Sequence, residues 1–449
     1  MALDETGDAG RVREGSPPES RHDRGEFLKR AGTTTAVLAG SGAFAGLAGR
    51  ADAARYGRNQ RGKIGGEVSI RYWGVGPERV AWSKRIAYFK SRYPNVKVNE
   101  QLLTKNGYEE FPALLTQIAA GNPPDVMRVL NFQPTQLVTQ GNALLPLDSF
   151  ISGDRSFDRS DFVPVAYQGG KVNGKQYAIP QNGEPYCLFY NKDAFKKAGL
   201  KDPWQQYRAG TWNQTSFLNA AKALKEGGFR YGAAFENWNY DVFVFMGGGR
   251  VLDQSGRVVI DRQPAPRALQ FLADMIDEGL SPSPEVGGGT YLQFFQNKQL
   301  GMYLSGAWWA KYMPKVDFAW TAAPLPRFFG GIGTKLEIDS LSISRGSKNP
   351  EAAWAMVKTL TDRRGEELWT AIATPTRRSV LGSRVFRSNP HVPAVVEMLK
   401  YSHVTPFTKA GAAVDTAAIS AFAPLWLGKK SAAEATKDAA AKIRKAIGG

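Results

Sequence analysis

The sequence predicts an α/β protein in which parallel strands alternate with helices on both faces of a doubly wound sheet. Three observations carry this. Between residues 67 and 130 the apolar periodicity alternates between strand-like and helix-like spacing, giving successive β-α-β steps within about 60 residues. The chain is long, 449 residues with 43% hydrophobic and 11% aromatic content, enough for a substantial core and for two or three lobes. Its 48 glycines and 26 prolines are spread along the chain, and no fixed-period repeat marks a solenoid or propeller.

The elements follow in order. EVSIRYW (67–73) reads as a strand, and Pro77-Glu78 open a helix whose apolar residues Trp82, Ile86, Phe89 and Tyr93 step by four, three and four. VKVNEQLL reads as a second strand. A second helix carries Tyr108, Phe111, Leu115 and Ile118 on one face and ends at Gly121. After the Asn122-Pro123-Pro124 turn, DVMRVL returns to strand. Ligands of such sheets bind beyond the carboxyl ends of the strands, which makes Trp73 and the segment Asn131-Phe132-Gln133 candidate site residues. Further along, GKQYAIP and CLFYNK read as extended segments separated by turn residues Gln181, Asn182 and Gly183. The Gly-Gly-Gly runs at 247–249 and 287–289 fit no phosphate-loop pattern and read as turns. Ser431 and Glu434 form a capping box that starts a terminal helix.

Residues 1–63 read as an export signal and flexible N-terminus. The polar opening leads to RHDRGEFLKRAG, the weakly apolar TTTAVLAGSGAFAGLAG and the small-x-small site Ala51-Asp52-Ala53. Its glycines and threonines suit a domain helix poorly. The segment resembles a twin-arginine signal, with Arg24 as the first arginine and Phe27-Leu28-Lys29 as the tail, but Gly25 stands where the second arginine belongs. The expectation is an exported, cell-surface or periplasmic protein, by either export route. The only cysteine, Cys187, lies far from the signal, so a lipid anchor is not expected, and with three histidines in the chain it lacks a nucleophile's context; a buried small side chain is the reading.

Formal net charge is +17, and residues 64–449 retain 47 Lys and Arg against 33 Asp and Glu. The basic residues occur in dispersed pairs such as Lys196-Lys197 and Lys429-Lys430 with no nucleic-acid module, so a solvated basic surface is expected and nucleic acid is not. Such a surface can also hold an exported protein near anionic lipids or wall polymers. No clustered His/Cys pattern suggests a metal, and no cofactor is expected.

GNPPDV, LLPLDSF, GKQYAIPQNGEPYCLFYNKDAFKKAGL, TWNQTSFLNAAKAL, LGMYLSGAWWA, LSISRGSKNPEAAWAMVKTL and GKKSAAEATKDAAAKI occur in this order over nearly all of residues 64–449. Together they resemble the extracellular solute-binding proteins of family 1, the sugar-capturing components of ATP-driven importers. The resemblance implies a periplasmic-binding-protein-like fold of two α/β lobes joined by a hinge: residues 64–181 and 312–361 in lobe I, 182–311 and 362–449 in lobe II. It also implies a monomer that closes on a carbohydrate and docks on the permease subunits of an ABC transporter, whose ATPase subunits drive import.

A sugar site needs flat aromatic faces for the CH side of a pyranose and carboxylates or amides for its hydroxyl rim. The resemblance places Glu184, Trp238 and Trp308 at family ligand positions, with Tyr240 two residues beyond Trp238. Where the family commonly has a Gly-Gly pair, this chain has Glu337 and Asp339, which favour a polyhydroxylated or cationic ligand and oppose a phosphate. Arg377 and Arg378 in PTRRSV point the other way, because arginine binds phosphate or carboxylate. The expectation is therefore a neutral sugar or oligosaccharide, with a glycerophosphodiester or other polyol as the variant. Two other classes stand beside it: an exported carbohydrate-active enzyme using Glu184 and Asp339, and a basic wall-associated adhesion protein.

Overall fold

The computed structural model describes residues 64–286, 290–405 and 411–448. The export signal and the Gly287–Gly289 run lie outside the described residues. The early elements form where the periodicity places them: β1 (Gly66–Trp73), α1 (Glu78–Arg92), β2 (Val96–Leu103), α2 (Phe111–Ala119) and β3 (Val126–Leu130). In α1 the spaced Trp82, Ile86 and Phe89 are buried, Glu78 sits in the first turn and Lys90 and Arg92 in the last, in accord with the helix dipole. Tyr108 is not part of α2. The Asn106 side chain accepts from the amides of Tyr108 and Glu109 at 2.9 and 3.2 Å, an Asx turn that delays the helix.

The remaining elements used below are β4 (Ala178–Asn191), α3 (Gln214–Glu226), β5 (Tyr231–Phe235), α4 (Tyr240–Met246), β6 (Leu300–Gly306), β7 (Trp320–Ala323), β8 (Thr334–Ile343), α5 (Pro350–Leu360), α6 (Gly411–Trp426) and α7 (Ala432–Ile447). Strand order is β2-β1-β3-β8-β4-β6-β5, with β7 pairing β4 off this path. β1 pairs β2 and β3 in parallel, and β5 pairs β6 in parallel. β8 and β4 run antiparallel to their neighbours and join the two parallel parts into one mixed sheet.

The two largest hydrophobic clusters lie on either side of those joining strands. The first gathers Val68, Ile70, Trp82, Phe89, Val126, Ile179, Leu341, Ile343 and Trp354. The second gathers Tyr186, Leu188, Tyr190, Phe217, Leu269, Leu304, Phe422 and Ile443. One strand, β4, thus contributes Ile179 to one core and Tyr186 to the other. The fold is two-lobed α/β. Two segments pack opposite to the lobe ranges expected from sequence: Met313, Ala322 and Phe328 enter the second core because β7 pairs β4, and Trp369 and Ile372 enter the first, where Trp369 meets Trp82 edge-on at 5.1 Å.

Gln181, Asn182 and Gly183 are not a turn. They lie inside β4, all of whose residues are buried. The register shifts between Asp339 and Ser340, which oppose Asn182 and Pro180, so Gln181 is the extra residue of a bulge. These polar residues have buried partners: Arg85 Nη1 donates to Gln181 Oε1 at 2.8 Å and Trp369 Nε1 to Asn182 Oδ1 at 3.1 Å. Cys187 is fully buried in the same strand, and burial pushes its thiol pKa up. The terminal capping box forms, with Ser431 and Glu434 exchanging hydrogen bonds at the start of α7. Gly247 caps α4 and Gly248 adopts φ +83°, so that glycine run is a turn.

Candidate functional site

β1, β3 and β6 all end at one cavity of about 240 Å³ lying where the two cores meet. Trp73 and Leu130, the last residues of β1 and β3, line it, as the rule for doubly wound sheets predicts. Trp238 enters from the short helical turn after β5, and Trp308, Trp309, Lys311 and Tyr312 from the 3-10 segment Ala307–Lys315 after β6. Glu184 and Asn182 on β4 and Glu337 and Asp339 on β8 form the floor; Glu337 is the cross-strand partner of Glu184.

Two tryptophan faces rest on glycines. A Cβ on Gly306 would lie 1.8 Å from the Trp308 ring, and one on Gly107 would lie 2.5 Å from the Trp73 ring. Gly306→Ala is therefore expected to swing the Trp308 indole away while leaving the strand intact. The check is tryptophan emission together with ligand affinity, which should weaken about tenfold, or roughly 1.4 kcal/mol. Unaltered emission would show that the ring does not depend on this glycine.

The charged groups are held in pairs. Glu78 receives Lys311 Nζ at 2.6 Å and Arg128 Nη1 at 3.2 Å. Arg128 also donates to Asp339, through Nε at 3.0 Å and through Nη2, and to the Trp73 carbonyl at 2.8 Å, while its guanidinium covers the Trp73 ring at 3.9 Å. Burial alone would push the Glu78 carboxyl up, but Lys311 and Arg128 bring it to about 2. Lys335 bridges Glu337 at 2.9 Å and Asp241 at 3.0 Å.

Glu184 is different. It accepts from the Thr374 amide at 2.9 Å and hydroxyl at 2.7 Å, but forms no ion pair among the described residues, and burial raises its pKa to about 7 against those hydrogen bonds. The folded protein then binds this proton more tightly than the unfolded chain, so stability falls as pH rises from about 4.5 to about 7. Glu184→Gln should reduce that slope, part of which remains because burial also raises Glu366 to about 7, and should raise stability at pH 8 by about 2–3 kcal/mol. Thermal unfolding across pH checks this, and an unchanged slope would contradict it.

Of the residues singled out in the sequence, Trp73, Glu184, Trp238, Trp308, Glu337 and Asp339 line the cavity. Asn131 stands just behind it: its Nδ2 donates to the Tyr108 hydroxyl at 2.6 Å and to Glu337, and its Oδ1 accepts from the Ile338 amide at 2.9 Å. Tyr240 is packed on Phe422 with ring centroids 5.1 Å apart and its hydroxyl directed to Asp415, away from the cavity. Arg377 is also elsewhere. Its Nη1 donates to the Asp158 carbonyl at 3.2 Å and to Asp161 at 3.3 Å, and its guanidinium covers Phe162 at 4.1 Å, so it ties down that segment.

Sequence reasoning missed Arg128, Lys311, Tyr108, Tyr312 and Glu78. The available signal for Arg128 was a charged residue inside an otherwise apolar strand. It also missed Glu236, buried and accepting from Ser305 at 2.6 Å, Asn239 at 2.7 Å and Trp309 Nε1 at 3.1 Å, which fixes the wall carrying Trp309. Among the described residues, no group of three or more His, Cys, Asp and Glu is placed to hold a metal, and no helix is long and apolar enough to cross a membrane.

A cavity between two α/β lobes, reached from strand ends, is the arrangement of a capture protein, and the family model for bacterial extracellular solute-binding proteins matches residues 75–367. The chain belongs to that family. This solute-binding protein is 24% identical over 374 residues to a Brucella abortus protein named as a binding protein, covering 79% of this chain and 86% of that one. It is 31% identical over 156 residues to the sn-glycerol-3-phosphate-binding periplasmic protein of Escherichia coli, covering 33% of this chain and 34% of the relative. Among solved structures it is similar to an ABC substrate-binding protein of Listeria monocytogenes in complex with cycloalternan. That pair has 23% identity and a TM-score of 0.76, with 86% of this chain and 100% of that one covered.

Proposed function

We propose that this extracellular solute-binding protein serves an ABC importer and that its ligand is a saccharide. The observation that carries the proposal is the cavity's composition: Trp238 and Trp308 line it together with Glu184, Asn182, Asn106 and Glu337. Aromatic faces match the CH side of a pyranose, and the carboxylates and amides match its hydroxyls. The similarity in fold to the cycloalternan complex supports the same reading.

In this proposal the two lobes bind the sugar from opposite sides, β4 and β8 act as the hinge, and the liganded monomer docks on membrane permease subunits. A sugar touching both lobes favours the closed form in proportion to its greater affinity for it. The protein binds its ligand without transforming it, and residues 1–63 direct its export.

Glycerol phosphate is the second reading, favoured by the Escherichia coli relative over a third of the chain. The site opposes it: both cations lining the cavity, Arg128 and Lys311, already pair with Glu78 and Asp339, and Arg377 lies outside. A thermal-shift screen of mono-, di- and oligosaccharides alongside sn-glycerol 3-phosphate and glycerophosphodiesters tests the two, because a ligand of the folded state raises Tm. A saccharide shift of several degrees is expected; a shift from the phosphates alone would reverse the assignment.

A further inference from the structure

The cavity's charge is opposite to that of the protein around it. Residues 64–449 carry 47 Lys and Arg against 33 Asp and Glu, yet the cavity is lined by five carboxylates, Glu78, Glu109, Glu184, Glu337 and Asp339, and by two cations, Arg128 and Lys311. Those two cations are consumed by Glu78 and Asp339. Lys335, which pairs with Glu337, is shared with Asp241, so one ammonium serves two carboxylates.

Glu184 is 4% exposed and Glu109 half-buried, and neither forms an ion pair among the described residues. Glu109 accepts only from the amide and side chain of Asn106, at 3.2 and 2.7 Å. A buried carboxylate with no cation beside it is strongly disfavoured as an anion, which is why burial raises the Glu184 pKa, and an opposite charge brought next to it favours the ionised form.

Resting on the saccharide reading, we infer that the ligand supplies the missing charge: the preferred saccharide carries an amino group, whose ammonium is received by Glu184 on the cavity floor. Indole faces at Trp238 and Trp308 in the same cavity suit such a ligand twice over, stacking on its apolar face and attracting its cation. Glu184 has Glu337 as its cross-strand partner and shares the cavity wall with Asp339 and Lys311; of these, Glu337, Asp339 and Lys311 are already engaged. The ammonium therefore meets one carboxylate held by neutral donors alone.

The test is calorimetric titration of the exported protein with matched sets differing only in the C2 substituent of each ring: glucose, glucosamine and N-acetylglucosamine; the galactose set; and cellobiose with its diamino and diacetylated counterparts. In the sets that bind, the amino member should bind at least tenfold tighter than both uncharged members, and Glu184→Gln should erase most of that advantage. Uncharged members binding as tightly, or an amino advantage untouched in Glu184→Gln, would overturn the inference and leave the saccharide reading standing. Binding by sn-glycerol 3-phosphate with none by any sugar would overturn both.

Discussion

Arg128→Met is expected to destabilise the protein by roughly 3–5 kcal/mol, the magnitude seen when one partner of a buried ion pair is removed. Arg128 is itself buried and is the group that holds Asp339 and shares Glu78. Its loss leaves Asp339 without a cation and Glu78 with Lys311 alone. It also uncovers the Trp73 face and frees the Trp73 carbonyl, so the cavity wall loosens together with the first core. Thermal unfolding should show a fall of about 5–10 °C, taking roughly 2 °C per kcal/mol for a chain of this size. Asp339→Asn in the same background should restore part of the loss, because it removes the orphaned charge. A fall corresponding to less than about 1 kcal/mol would mean that the ion pairs around the cavity do not hold it together.

Trp308→Ala should leave stability nearly unchanged and weaken saccharide binding by about 30-fold or more, the 2 kcal/mol or larger effect typical of a central aromatic anchor. The indole is half-buried, edge-on to Tyr186 at 5.2 Å, lies against Gly306 and lines the cavity. Because it belongs to the wall and not to either core's interior, truncation removes a ligand surface without opening a core void. Calorimetry with the saccharide selected by the thermal-shift screen reads the effect directly. Affinity within twofold of the parent would remove Trp308 from the site.

The alternation of strand and helix was legible from sequence because each element has one face to bury, as in Trp82, Ile86 and Phe89 of α1. The long strand β4 was not. Gln181-Asn182-Gly183 has turn chemistry, and only the tertiary structure supplies Arg85 and Trp369 as buried partners that let these polar residues sit inside a sheet. The aromatic lining of the cavity was readable, since Trp73, Trp238 and Trp308 lie at or just beyond strand ends. Its charges were not, because pairing across the cavity is set by residues far apart in the chain, such as Lys311 with Glu78 and Arg128 with Asp339. The arginine pair at 377–378 misled for the same reason: sequence shows a basic doublet, whereas the fold turns Arg377 inward to Asp158 and Asp161.

The central claim is that the cavity between the lobes captures a saccharide without altering it. The most direct measurement titrates the exported protein with the saccharide that most raises its Tm, recording tryptophan emission while assaying the same solution for new sugar products. The account predicts a saturable, single-site change in emission that is strongly weakened in Trp308→Ala, with the sugar recovered intact. Release of a shorter sugar, or full binding with emission unchanged, would contradict it.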